Sequence, residues 1–189
     1  MAHIDIYDES GKHIGSADRD EAHRKGQWHK TSFVIPYTCN KEVLLELRGK
    51  DKAVYPRMWA PPSEHLYRNE RTVEAAQRAL REVGIRAPIE HIIDLGLELR
   101  INLAITDRYT DNEMQNYFAY PWDGNIEDLN FDRREVDSVM IVPISSVGKP
   151  PYTIPLHNKD FKKIIKALKR KRVFRRENFS NNNSQSNVA

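Results

Sequence analysis

The sequence predicts a single α/β domain of the α+β kind, mainly strand, with one helix enclosed among the strands and a second helix closing the fold. Three observations carry this expectation. The 189 residues are 39% hydrophobic, enough for one core and short for two. Through most of the chain the apolar residues alternate or run in short blocks bounded by Gly, Pro, Asn and Asp, which is strand patterning. Helical spacing is clear only around Thr72–Gly84 and again from Asn158 onward.

Taken in order, IDIYDESGKHIGSADR reads as two short strands around a turn at Glu9 to Lys12, because Ser-Gly between β-prone runs favours a hairpin. EAHRKGQWHK is polar and aperiodic. It leads into SFVIPYT and EVLLELRG, expected as a second hairpin across the turn residues CNK. KDKAVYPRMWAPPSEHLYRNER has three prolines and no sustained alternation, so a long ordered loop is expected, and such loops usually carry function. Thr72 is placed to cap the helix VEAAQRALREVG, in which Val73, Ala76, Leu80 and Val83 share a face and Gly84 supplies the stop. IIDLGLELRINLAI and MQNYFAYPW read as strands bracketing the polar turn TDRYTDNE, and VDSVMIVPI as one more. A single domain is expected over residues 1–176, closed by a basic amphipathic helix at 158–176 with Phe161, Ile164, Ile165 and Leu168 on one face. The polar tail 177–189 has the composition of a disordered segment.

Charge is distributed unevenly. Of the formal net +3, residues 159–177 contribute +8, from ten Lys/Arg against two acids, leaving −5 for the rest. That helix is a candidate contact for a polyanion, although solvated helix faces carry the same pattern. Cys39 has no partner for an intramolecular disulfide, the first residues lack a signal-peptide pattern, and the longest apolar runs are too short for a membrane span. The expected location is cytoplasmic.

The segment from His65 to Ile85 ends in REVGI, with Glu70 upstream of the helix. It resembles a degenerate Nudix box, G-x5-E-x7-R-E-U-x-E-E-x-G-U, in which only Glu82 survives among the helix glutamates, Arg78 and Arg81 stand at two others, and Glu64 replaces the leading glycine. EAHRKGQWH, LRGKDKAVYPRMW, an EH before the box and TDNEMQNYFAY then follow the succession seen in isopentenyl-diphosphate isomerase and its Nudix relatives. The likeness covers roughly residues 1 to 145. It implies the Nudix fold, a mixed β-sheet sandwiched between helices, with an N-terminal β-hairpin. The resemblance also implies that His23, His29, His65, Asp111 and Glu113 hold one tightly bound divalent transition metal (Zn, Mn or Fe). Arg19, Arg48, Lys52 and Arg78 fall where such a protein grips a small-molecule diphosphate, and Glu82 would reach the same group through Mg2+.

Shifting a double bond needs a proton delivered at one carbon and removed at another. Ser63 falls at the family's cysteine position, with Glu64 as a neighbour able to take that space, and Ile101 falls near its tyrosine, so Glu113 is the one inherited acid. Trp59, Trp122, Tyr117 and Tyr120 are candidates to line an apolar pocket. The expected function is metal-assisted protonation of an alkene in a prenyl or similar organic diphosphate, leading to isomerisation, rearrangement or cyclisation. Two alternatives stand beside it. One is a divergent Nudix hydrolase of a nucleotide or other diphosphate using Glu70, Glu74 and Glu82; the other is a Nudix-fold binding module without turnover.

Overall fold

The computed structural model describes residues 3–52, 54–150, 152, 158–175 and 178–179. Its elements are β1 (His3–Tyr7), β2 (His13–Asp18), α1 (Arg19–Arg24), β3 (Trp28–Tyr37), β4 (Glu42–Arg48), β5 (Trp59–Ala60), β6 (Ser63–His65), α2 (Thr72–Glu82), β7 (Ile93–Thr106), β8 (Tyr109–Pro121), β9 (Val136–Pro143) and α3 (Asn158–Arg170). A mixed sheet lies between α2 and α3, as expected. One core, with Val34, Leu44, Ala76, Leu80 and Phe118, packs the sheet on α2; the other, with Ile35, Leu45, Leu99, Ile164 and Leu168, packs it on α3. Among the described residues no helix is long and apolar enough to cross a membrane.

The N-terminal hairpin forms where expected. Asp8 closes its turn by accepting bonds from Ser10 N and Lys12 N, and Gly11 supplies the left-handed residue at φ +88°. Strand β3 organises the rest. One edge pairs in parallel with β8 from His29↔Glu113 to Tyr37↔Pro121, while the other edge is shared in succession by β1, β6 and the start of β4.

Four local expectations are corrected. The aperiodic EAHRKGQWHK segment begins inside α1, which Asp18 caps by accepting from Asp20 N and Glu21 N. Arg71 rather than Thr72 precedes α2 in extended conformation, and Glu74 reaches back to the Arg71 N–H at 2.9 Å. The proline-rich loop carries the short strands β5 and β6. The expected second hairpin splays open: β3 and β4 share only Tyr37↔Val43, because β6 occupies the β3 edge at Thr31–Phe33 and Val34 N donates to Pro62 O. Strand β4 turns to β9 instead, pairing from Glu42 to Arg48.

Helix α2 ends where expected at Gly84, whose φ is +84° and where an added Cβ would lie 2.8 Å from Asn130 N. Helix α3 ends at Arg170, short of 176, and the backbone reverses at Arg172 with φ 53°. Its apolar face is the predicted one, with Ile164 and Leu168 buried and Phe161 and Ile165 packed beside them. Of the tail 177–189, Asn178 donates to Val173 O and Phe179 packs edge-on to Tyr37; Glu177 and residues 180–189 lie outside the described residues.

Candidate active site and metal centre

Alternation along β3 and β8 decides which side chains meet. His29, Thr31, Phe33 and Ile35 point to the α3 face of the sheet, as do Glu113, Gln115 and Tyr117 on β8. His65 joins them from β6, and α1 delivers His23 from the side. The ligand atoms of His23, His29, His65 and Glu113 all lie within 4.8 Å of one another. His23 Nε2 is 3.3 Å from both His65 Nε2 and Asp111 Oδ1, and His65 Nε2 is 3.7 Å from Glu113 Oε1. Asp111 therefore borders this group through His23 without joining the mutual set of four.

The surroundings fix the imidazoles in a ligand-ready form. His23 Nδ1 donates to Arg19 O at 2.7 Å and His29 Nδ1 to Gln27 O at 2.9 Å, which turns each Nε2 inward toward the cluster. His29 is fully buried, and its Nε2 has no hydrogen-bond partner among the described residues. Burial, then the neighbouring His29 and Arg19, pulls His65 well below the ordinary histidine value, which favours its neutral, metal-binding form. Imidazole nitrogens and a carboxylate oxygen converging this closely are suited to a shared cation. The donor set fits a divalent transition ion.

Glu113 has two different oxygens. Oε1 faces the histidines, and Oε2 accepts from Gln115 Nε2 at 2.7 Å, while Gln115 Oε1 accepts from the Tyr117 hydroxyl at 2.8 Å. Burial alone would raise the Glu113 carboxyl, but His29 and the Gln115 bond hold it below the usual glutamate value. Tyr109 stacks on His23 at 4.4 Å, and burial raises its hydroxyl.

The cluster opens into a cavity of about 850 Å³. Arg19, Arg48, Lys52, Ser63, Glu64, His65, Glu82, Asp111 and Glu113 all line it, so most of the expected site residues come together. Lys52 Nζ is 3.2 Å from Glu82 Oε1 and also pairs with Glu135. Arg19 Nε is buried without a hydrogen-bond partner among the described residues.

Arg78 departs from expectation. It is absent from the cavity wall, with Nη1 2.8 Å from Glu64 in ion-pair geometry and Nη2 bonded to Glu70 at 2.9 Å and to His65 O at 2.6 Å, and its guanidinium lies over the Tyr67 ring. Two carboxylates already neutralise it, so it braces the loop that carries His65. Of the acids expected for a hydrolase, Glu70 pairs with Arg78 and Glu74 with Arg71, while Glu82 lines the cavity. Of the four aromatics, only Tyr117 lines the cavity; Tyr120 and Trp122 pack on the α2 side, and Trp59 packs beside the other core.

Sequence reasoning missed Gln115, Tyr109 and Glu46. The signal for Gln115 was present, since residues 111, 113, 115 and 117 share one face of a strand. Glu46 gave none: it sits on the α2 side of β4, 2% exposed, where burial and then the charge of Glu82 raise its carboxyl to about 8.

No protein-family model matches the chain. A Clostridium acetobutylicum protein described as an uncharacterized Nudix hydrolase is 28% identical over 153 residues, which cover 77% of this chain and 72% of the relative. An isopentenyl-diphosphate Δ-isomerase of Pectobacterium atrosepticum is 27% identical over 104 residues, 54% of this chain and 58% of the isomerase. The chain also superposes on the NUDIX domain of Shewanella oneidensis NrtR, solved with ADP ribose, with a TM-score of 0.54 at 17% identity, over 77% of this chain and 88% of the other.

Proposed function

We propose that this Nudix-fold chain, a relative of Nudix hydrolases and of isopentenyl-diphosphate isomerases, is a metal-dependent enzyme that protonates an alkene in an organic diphosphate with an apolar tail. The observation that supports this most is continuity: one cavity runs from His65 and Glu113 of the cluster and the cations Arg19, Arg48 and Lys52 to a wall of apolar side chains. Such a cavity suits a ligand anionic at one end and hydrocarbon at the other.

In this reading Arg19, Arg48 and Lys52 bind the diphosphate, since guanidinium and ammonium groups keep their charge at neutral pH. Bound at the cluster, a divalent Zn, Mn or Fe ion supplies positive charge that neutralises the converging donors, and Mg2+ beside Glu82 would do the same for the diphosphate. Glu113 delivers the proton to one alkene carbon, and the resulting cation loses a proton elsewhere or rearranges first. Ser63 lacks an activating base and is a poor second shuttle.

The Clostridium relative supports a second reading, hydrolysis of a diphosphate. One experiment separates the two. The metal-loaded protein is incubated in deuterated water with prenyl diphosphates and with nucleotides such as ADP-ribose, following product structure and released phosphate. Alkene chemistry places deuterium on carbon, and Glu113→Gln abolishes it while part of the substrate affinity is kept, with metal content checked in the same sample. Phosphate release that survives Glu113→Gln with no deuterium on carbon assigns the chain to the hydrolases.

A further inference from the structure

The cavity, at about 850 Å³, is larger than a five-carbon substrate needs, and its wall changes character in a fixed order. The parallel register of β3 and β8 sets that order. His29 faces Glu113 at the metal level, then Thr31 faces Gln115, then Phe33 faces Tyr117 with the rings stacked at 5.2 Å, and then Ile35 lies opposite Ala119. From the first level to the last the strands rise about 20 Å. Val43 and Leu45 of β4 line the apolar part, where the splay from β3 keeps the sheet open, and Ile144, Val147, Phe161, Ile164 and Leu168 complete it. The last three belong to α3, which is tied down by Arg170 Nη2 donating to Leu95 O at 2.6 Å.

We infer that the natural ligand carries a long hydrocarbon tail, of the order of fifteen carbons rather than five, and that the apolar face of α3 sets its maximum length. This rests on the proposed diphosphate end of the same cavity. A five-carbon tail would fill only part of a cavity whose wall continues past Phe33 and Tyr117 to α3. A cavity of about 850 Å³ lies in the upper range of small-ligand sites, which run to roughly 1,000 Å³. Tail length is then selected by apolar area buried, and the cationic residues on the outer side of α3 keep that helix at the surface.

The test uses saturated alkyl diphosphates of five, ten, fifteen and twenty carbons, which bind but cannot be protonated, with the matching alcohols and ADP-ribose as comparisons. Calorimetric titration of the metal-loaded full chain should show Kd falling at least about a hundredfold from five to fifteen carbons, since each buried methylene contributes to binding. Ile164→Trp, filling the α3 end, should weaken the fifteen-carbon ligand at least about tenfold more than the five-carbon one. Phe161→Ala, which opens that end, should shift the preference toward twenty carbons and keeps the test available should the tryptophan variant fold poorly. Affinity that does not change with tail length overturns the inference while leaving the diphosphate reading standing. Alcohols binding as tightly as diphosphates, or ADP-ribose binding best with no gain from alkyl length, overturns both. Because the probes are unreactive, failure of the alkene chemistry appears only in the deuterium experiment.

Discussion

The metal cluster depends on single atoms, and so do its tests. Purified chain should retain close to one transition ion, and His65→Ala should weaken that affinity at least about tenfold, read by metal analysis after dialysis against a weak chelator. Full retention of metal by the variant would remove His65 from the ligand set. Arg78 makes a different prediction from the one its position in the box suggests. With Glu64 and Glu70 on either side of its guanidinium, Arg78→Ala should lower stability by about 2–3 kcal/mol in urea unfolding, because two largely buried carboxylates lose their counter-ion. A loss confined to diphosphate affinity, with unchanged stability, would return Arg78 to the binding set. The convergence of His23, His29, His65 and Glu113 was legible in the sequence because three histidines and two acids resembled a known succession as a group. The neutralisation of Arg78 was not, since Glu64 comes from a strand edge and Glu70 from a turn, and pattern alone does not show which of 30 cationic side chains is already paired.

Elements determine how those atoms are aimed. Helix α1 has only six residues, yet it carries Arg19 and His23 into the site, and its conformation depends on Asp18. Asp18→Ala should cost about 1 kcal/mol of global stability and also weaken metal affinity, since loss of the cap frees the turn that orients His23. Unchanged metal affinity in a variant with the expected stability loss would show that α1 is held by packing instead. No apolar period announces so short a helix in the sequence, so it was read as a polar connection. The N-terminal hairpin, α2 and α3 were legible because their periods extend over several turns or strand repeats. Strand β6 was not, because Ser63–His65 is a strand only by virtue of the β3 edge it pairs with. The splay of β3 from β4 follows from that pairing, and no local propensity encodes it.

At the scale of the whole molecule, buried ionisable groups give stability an opposed pH dependence. Glu46 is protonated in the folded chain with a value near 8, whereas the unfolded chain ionises it near 4.5. Its contribution is therefore complete below pH 4.5 and is lost as pH rises through 8. His65, depressed in the folded state, contributes fully above its ordinary value of 6.5 and loses that contribution as pH falls below it. The stability of metal-free protein should accordingly peak near mildly acidic to neutral pH. Glu46→Gln, which keeps the neutral form, should flatten the alkaline limb and gain on the order of 3–5 kcal/mol above pH 8. Parallel profiles for the two proteins would mean that Glu46 is ionised in the folded state. The overall architecture was legible because a two-sided sheet writes its alternation into nearly every strand, whereas the depth of the cavity was not, since it depends on which apolar residues fail to touch. The pairing of β3 with β8 also has a kinetic meaning. Thr31 and Asn116, bonded across these strands, are 85 residues apart in the chain, so a very large loop must close before His29 can meet Glu113. Ion capture then waits for the slowest long-range encounter, and the rate at which refolding protein takes up metal becomes a clock for the completion of its topology.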